Sequence, residues 1–249
     1  NTSNNILMAE ETMSHEIGHQ FAASHSWNYS SPVDPQTPDD DPNVDENRSA
    51  STAFEPGSGS TIMSYAGVCI AGQNVKFVND TYFHIGSHIQ MFNHQQTDNV
   101  SDCGDIVTMQ NEYPEVSVKY VDGFHIPINT PFRLTADATD ADGDSLTYCW
   151  EQVNRHFQEI PLGDHTNTSP SFRSRPPSPS DTRFFPEPFV IIQDRISDVD
   201  DELLPSYTRN LKFRCSVRDV HETDPYSGIV WTDEVSFEAD DAAGPFVVT

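Results

Sequence analysis

The chain has 249 residues, which allows one or two domains with sizeable cores, and its 39 acidic residues outnumber its 13 basic residues. The resulting net charge of −26 at pH 7 argues against nucleic acids and anionic membrane surfaces as partners. The sequence has no apolar run long enough to cross a bilayer, so we predict no membrane span.

The first predicted element is a helix over Met8–Phe21, which contains the stretch HEIGH. Its two histidines are four residues apart, so both imidazoles lie on one face of a helix. A third histidine follows six residues later, and the chain must turn to bring it to the same ion. Three histidines leave one zinc position open, which is typical of a catalytic site. The predicted zinc ligands are His15, His19 and His25, and the predicted general base is Glu16.

The stretch HEIGHQFAASH resembles the signature HExxHxxGxxH of the metzincin clan of zinc metallopeptidases, with Ala22 at the position of the family glycine. A positive φ is expected there, and alanine in that conformation costs on the order of 1 kcal/mol. The later stretch STIMSYAGVC is similar to the Met-turn of these enzymes. The resemblance implies that Met63 forms an apolar floor beneath the histidines and that Tyr65 reaches the zinc or the oxyanion.

The longer run AFEPGSGSTIMSYAGVC, followed by NDTYFHIGSH, is similar to bacterial reprolysin-like peptidases, which often carry an immunoglobulin-like or PKD-like domain behind the catalytic one. Pappalysin-like enzymes are the rival, because Trp27 supplies an aromatic residue two positions after the third histidine. The resemblance implies a secreted or cell-surface zinc endopeptidase that acts on protein or peptide substrates. The alternative is a non-catalytic, zinc-binding adhesion or structural protein.

The remaining elements predict an α+β fold in two domains. Residues 26–60 are predicted to be an acidic, Pro-rich loop, and Asp80–Gln96 a second helix. Residues 1–110 then form the C-terminal part of a metzincin catalytic domain, with zinc helix, Met-turn and second helix. Residues 111–249 show short alternating segments, which indicate an all-β sandwich of the PKD or immunoglobulin type with a long insertion at about 153–209.

We expect the β-sandwich to fold by itself and to supply no zinc ligand. Its predicted core residues are Val116, Leu134, Leu146, Trp150, Phe213 and Val217. The resemblance also implies a subdomain in front of the zinc helix, and the chain ends in an extended apolar run. We therefore expect further domains of the same polypeptide on both sides.

The four cysteines lack CxxC spacing, and an even number in a secreted enzyme suggests disulfides. We predict a bridge between Cys69 and Cys103, which would tie the Met-turn to the end of the first domain. A bridge between Cys149 and Cys215 stays open. Strand alternation places Cys149 on the face of its strand that is opposite to the Trp150 face, while Cys215 lies on the core face of its own strand.

A second ion is considered at TDADGDSLTY, where three aspartates alternate with other residues. Their carboxylates can serve one calcium ion, although the spacing does not fit an EF-hand loop. A polar hairpin turn is the alternative. The candidate calcium ligands are Asp140, Asp142 and Asp144.

Overall fold

A computed structural model describes residues 2–29, 47–70, 72–96, 111–120, 122–164, 168–193, 201–220, 227–243 and 245. The fold is α+β, with more strands than helices, in agreement with the sequence. The chain forms two compact units. Unit 1 comprises Asn1–Asp105 and Arg155–Ser174, and unit 2 comprises Ile106–Asn154 and Arg175–Thr249.

In its described residues, unit 1 contains two helices, α1 (Thr2–Gln20) and α2 (Ile85–Gln95). The second helix begins five residues later than Asp80, where the sequence places its start, because His84 is its N-cap. The ring nitrogen Nδ1 of His84 accepts the Gly86 N–H at 3.0 Å and so satisfies one of the first free donors of the helix.

Between these helices, residues 21–29, 47–70 and 72–84 are held by turns and side-chain hydrogen bonds rather than by a regular sheet. An isolated parallel bridge joins Trp27 to Glu55. Ala23, Ile62 and Met63 form a buried apolar cluster, and Phe83 and Met91 pack against it. This cluster lies where α1 ends and the predicted Met-turn begins, so residues of both motifs share one buried cluster.

A segment far along the chain completes unit 1, and we name Arg155–Ser174 the strap. The Arg48 guanidinium donates to three strap carbonyl oxygens, those of His156, Phe157 and Gln158, at 2.8, 2.9 and 3.1 Å. Phe172 of the strap is only 1% exposed. The strap belongs to the insertion predicted at about 153–209, for which the sequence suggests no role. The domain boundary at 110 and 111 stays a prediction.

The described residues of unit 2 form strands, one short α-helix and a 3₁₀ turn at Asp241–Ala243. Its elements are β1 (Glu115–Ser117), β2 (Phe124–Pro127), β3 (Phe132–Thr135), β4 (Asp137–Thr139), β5 (Ser145–Gln152), β6 (Thr182–Phe185), α3 (Pro188–Ile192), β7 (Arg209–Val220), β8 (Ile229–Trp231) and β9 (Val235–Asp240). The main sheet has the order β2-β9-β7-β5, with β8 also paired to β7. Within it, β2 and β9 are parallel and the other pairs are antiparallel. The pairs β1–β4 and β3–β6 form two small sheets.

Aromatic side chains pack the small β3–β6 sheet on the main sheet. Phe132 and Phe185 stack with ring centroids 5.0 Å apart, and Phe185 lies 4.7 Å from Phe213 on β7. Of the predicted core residues, four are buried and two are half-buried. The buried ones are Leu134, Trp150, Phe213 and Val217, and the half-buried ones are Val116 and Leu146. The assignment to an immunoglobulin or PKD sandwich stays a prediction.

The bridge between Cys149 and Cys215, which the sequence left open, is not formed in the structure, where both are free cysteines. The register of β5 and β7 pairs Trp150 with Cys215 and Cys149 with Ser216. Neighbouring residues of a strand point to opposite faces, so the two sulfur atoms lie on opposite faces of the sheet. Burial raises the pKa of both thiols, so both stay protonated at neutral pH.

None of the described helices is both long enough and apolar enough to cross a membrane.

Candidate metal centre

Three histidine side chains meet at the end of α1. His15 Nε2 lies 3.1 Å from His25 Nε2, and His19 Nε2 lies 3.2 Å from the same atom. Two nitrogen atoms that share a tetrahedral zinc ion at ordinary bond lengths lie about 3.3 Å apart. The distances between the ring nitrogens therefore fit one shared ion.

The second nitrogen of each ring contacts a backbone carbonyl oxygen. The pairs are His15 Nδ1 with Ile62 at 2.7 Å, His19 Nδ1 with Ala23 at 2.8 Å, and His25 Nδ1 with Asn47 at 2.5 Å. A carbonyl oxygen only accepts, so each Nδ1 carries a proton and donates it. In this tautomer the lone pair of each Nε2 atom faces the other two rings.

Three lone pairs that face one another repel unless a cation lies between them. Neutral imidazoles whose other nitrogen donates to a carbonyl are the usual zinc ligands in proteins. Burial lowers the pKa of His15 from its ordinary 6.5, although donation to the Ile62 carbonyl opposes this. The neutral, metal-binding form of His15 therefore predominates at neutral pH. The three residues fit a zinc ion.

The end of α1 sets the direction in which the chain leaves the helix. Ala23 N–H donates to the Gly18 carbonyl at 2.9 Å, and Ala22 N–H donates to the His19 carbonyl at 2.9 Å. Together these bonds form a Schellman motif, which requires a left-handed residue after the helix. Ala22 supplies it with a φ of 66°, the conformation expected from its place in the zinc motif. The motif also places the Ala23 carbonyl where His19 Nδ1 can donate to it.

The turn that carries His25 is held by side chains from two other segments. The Ser24 N–H donates to Gln90 Oε1 on α2 at 3.0 Å. The Thr52 hydroxyl donates to the carbonyl oxygen of His25 at 2.7 Å. The second helix and the loop before the Met-turn therefore both fix the backbone of the third histidine.

Met63 lies below the histidine-bearing end of α1. Its side chain is fully buried and packs with Ala23 and Ile62. A Cβ added at Gly18 would lie 2.5 Å from Met63 Sδ and 3.0 Å from the Phe83 ring. Gly18 therefore allows α1 to approach Met63 closely, a role that the sequence analysis did not assign.

Glu16, Tyr65 and His15 line the same cleft. This cleft has a volume of about 230 Å³ and is also lined by Glu11, Ser64 and Asn79. Glu16 is exposed to solvent on α1. The Tyr65 ring centroid lies 4.7 Å from that of His25 and 6.1 Å from that of His15. The structure thus brings the predicted base, the predicted tyrosine and the histidine ligands to one place.

The sequence of this region matches a known family. Residues 7–95, about a third of the chain, match the family model described as Metallo-peptidase family M12B Reprolysin-like. The match supports a metzincin-like zinc metallopeptidase. It spans the three histidines, Glu16 and the Met-turn, but it does not reach unit 2. No curated protein and no solved structure gives a significant match to the chain.

The three candidate calcium ligands also lie together in the structure. Candidate ligand atoms of Asp140, Asp142 and Asp144 lie within 4.8 Å of one another. Asp140 Oδ1 accepts the backbone N–H groups of Asp142 and Asp144, each at 3.0 Å. These bonds are also those of a polar turn, so both interpretations of the sequence remain open, and calcium stays a prediction.

Cys69, the last residue of the Met-turn stretch, is half-buried, with its sulfur 3.6 Å from the Tyr65 carbonyl oxygen. Cys103 lies outside the described residues. The predicted bridge between them stays a prediction.

Sequence reasoning missed the buried acid Glu55 and the contacts of Arg48. A glutamate in a loop gives no sign of burial, because glutamate is mostly exposed in proteins. Gly18 did carry a signal, since a glycine inside a helix is disfavoured unless a neighbour needs the space.

Proposed function

We propose that this protein is a secreted zinc-dependent endopeptidase. The observation that supports it most is the convergence of three Nε2 atoms, each on a ring whose Nδ1 donates to a backbone carbonyl. The family match supports the coarser assignment to a zinc metallopeptidase. Internal cleavage of a chain, rather than trimming from an end, is part of the proposal.

The residues around the cleft divide the chemistry between them. Bound zinc supplies a Lewis acid that polarises a carbonyl group and acidifies water. Glu16, exposed at the cleft, accepts the proton of the attacking water and returns it to the leaving amine. The Tyr65 hydroxyl donates a hydrogen bond to the oxyanion that develops on the substrate.

Replacement of Glu16 by alanine separates metal binding from catalysis. We expect the variant to keep its zinc content and to lose activity by about 10²–10⁴-fold, since the three ligands remain and the base is removed. Zinc is measured by atomic absorption, and cleavage of casein by mass spectrometry of the fragments, which distinguishes internal cuts from trimming. Glu10→Ala, at an exposed acid of the same helix, is the control. Unchanged cleavage by Glu16→Ala would remove Glu16 from the role of base.

The alternative is a surface adhesion or structural protein that binds zinc without turnover. Peptide-library digestion by the full-length protein distinguishes the two, because an adhesion protein leaves the library intact while still binding zinc. A secreted or surface location and further domains in the same polypeptide belong to both proposals.

The calcium prediction is tested by titration of the same full-length protein. If calcium binds at the three aspartates, added calcium raises the unfolding temperature and Asp142→Asn reduces the shift. An equal shift in Asp142→Asn argues for the polar turn.

A further inference from the structure

Glu55 is a buried acid that no motif accounts for. It is 1% exposed, and the side chains of Ser26, Ser60 and Thr61 around it are fully buried. Among the described residues, no lysine, arginine or histidine pairs with its carboxylate. Such a group is costly to bury unless hydrogen bonds replace the water that it loses.

Five hydrogen bonds from neutral donors converge on this carboxylate. Oε2 accepts the backbone N–H of Ser60 at 2.7 Å, the backbone N–H of Thr61 at 3.1 Å and the Ser60 hydroxyl at 3.2 Å. Oε1 accepts the hydroxyl groups of Ser26 at 2.6 Å and of Thr61 at 2.5 Å. The backbone of Glu55 adds a bond from its own N–H to the Ser26 carbonyl at 2.9 Å.

These donors belong to two segments beside the metal centre, one that carries His25 and one that supplies the carbonyl oxygen to which His15 donates. Ser26 follows His25 directly, and its N–H donates to the Met63 carbonyl at 3.0 Å. Thr61 directly precedes Ile62, whose carbonyl oxygen accepts the His15 Nδ1–H. One carboxylate therefore ties the chain after the third ligand to the chain that orients the first.

We propose that Glu55 is a positioning residue of the metal centre, which holds His15 and His25 at the separation that zinc binding requires. The proposal rests on the zinc centre of the proposed function and names a group outside the zinc motif and the Met-turn. Its effect is carried by hydrogen bonds rather than by charge. Residues that orient metal ligands in this way affect metal affinity by about 10–100-fold.

The geometry predicts that glutamine can replace Glu55. The amide oxygen would take the place of Oε2, where two backbone N–H groups can only donate. The amide NH₂ would take the place of Oε1, where both partners are hydroxyl groups that can also accept. Alanine offers none of these bonds and leaves buried donors unpaired.

The test measures zinc affinity of the full chain by competition with a chelator, and the visible spectrum of the cobalt-substituted protein. We expect Glu55→Ala to weaken zinc binding by about tenfold or more and to change the cobalt bands, and Glu55→Gln to stay within about twofold of wild type. Ile85→Ala, which removes buried apolar volume from the same unit, is the control for lost stability and should leave zinc affinity unchanged.

Two results would overturn the proposal. A folded Glu55→Ala that binds zinc like wild type shows that the carboxylate does not position the ligands. If Glu55→Gln binds zinc as weakly as Glu55→Ala, the charge of Glu55 rather than its hydrogen bonds controls zinc affinity.

If Glu55→Ala does not fold, Thr61→Val is used instead, because it removes one hydroxyl donor. We expect zinc affinity to fall by about fivefold, and unchanged affinity counts against the proposal. No substrate is used, so the result is independent of whether Glu16 is a catalytic base.

Discussion

At the scale of single residues, helix propensity and packing favour different residues at position 18: propensity favours alanine, and packing favours Gly18. Alanine is favoured over glycine inside a helix by about 1 kcal/mol. At this site, however, its Cβ would lie 2.5 Å from Met63 Sδ, and Met63 is fully buried. Overpacking of a core costs about 1–3 kcal/mol. We therefore expect Gly18→Ala to lower the free energy of unfolding by about 1 kcal/mol, measured by urea denaturation.

A double-mutant cycle with Met63 tests the reason for this loss. In a Met63→Ala background the methyl group of Gly18→Ala loses its shortest contact and keeps the 3.0 Å approach to the Phe83 ring, so the same change should become neutral or stabilising by up to about 1 kcal/mol. If Gly18→Ala stabilises the protein with Met63 present, Met63 moves aside without cost and the close approach has no energetic importance.

At the scale of elements, the end of α1 contains a conformational strain that a single substitution relieves. Ala22 is exposed and has a φ of 66°, which costs a residue with a Cβ about 1–2 kcal/mol. Glycine removes that cost but gives the unfolded chain about 0.4–1 kcal/mol of extra freedom. We expect Ala22→Gly to raise the free energy of unfolding by about 0.5–1 kcal/mol and to leave zinc affinity unchanged.

Gly72→Ala makes the reverse change in the same unit, because it adds a Cβ at a residue with a positive φ. Gly72 has a φ of 83°, and a Cβ there would meet nothing within 4 Å, so strain acts alone. We expect a loss of about 1 kcal/mol, measured in the same thermal or urea unfolding series. Changes of the same sign in both variants would show that φ does not control stability at these turns.

The elements that the sequence predicts correctly depend on short-range patterns. The zinc helix follows from four-residue spacing, and the alternating segments predict β5, β7 and β9. The failures depend on partners far along the chain. The pairing of Cys149 with Ser216 is set by a register between strands, and strand alternation alone left the bridge to Cys215 undecided. The hydrogen bonds of Glu55 have a mixed origin: Ser26 is 29 residues away, while Ser60 and Thr61 are five and six residues away in a turn that has no recognisable sequence pattern.

At the scale of the whole molecule, the strap makes unit 1 discontinuous in sequence. Phe172 of the strap is 1% exposed and Phe157 of the strap is 85% exposed, which gives a matched pair of phenylalanines. We expect Phe172→Ala to cost about 3–5 kcal/mol and Phe157→Ala less than about 0.5 kcal/mol, measured by thermal unfolding of the zinc-loaded chain. Zinc release should follow the same order, because the strap is part of the unit that holds the histidines. Equal effects of the two changes would contradict a supporting role for the strap.

The strap also bears on the expectation that the β-sandwich folds by itself. A fragment that begins at residue 110 would carry Ile160 and Phe172 without the unit in which they are buried. Such apolar groups, newly exposed, favour aggregation. The sequence could not predict this, since a Pro- and Ser-rich insertion has no periodicity that indicates which unit it joins.

The order of synthesis adds a delay to the assembly of the metal centre. Arg48 and its strap partner His156 are 108 positions apart, and the chain grows at about 5–20 residues per second, so the zinc helix waits on the order of 5–20 s for the strap. In that interval β1–β5 are synthesised. Asn47, whose carbonyl oxygen accepts from His25, is next to Arg48, and Arg48 still lacks its hydrogen bonds to the strap. The unit that holds the ligand set is therefore completed only by a segment that is synthesised 108 positions after Arg48.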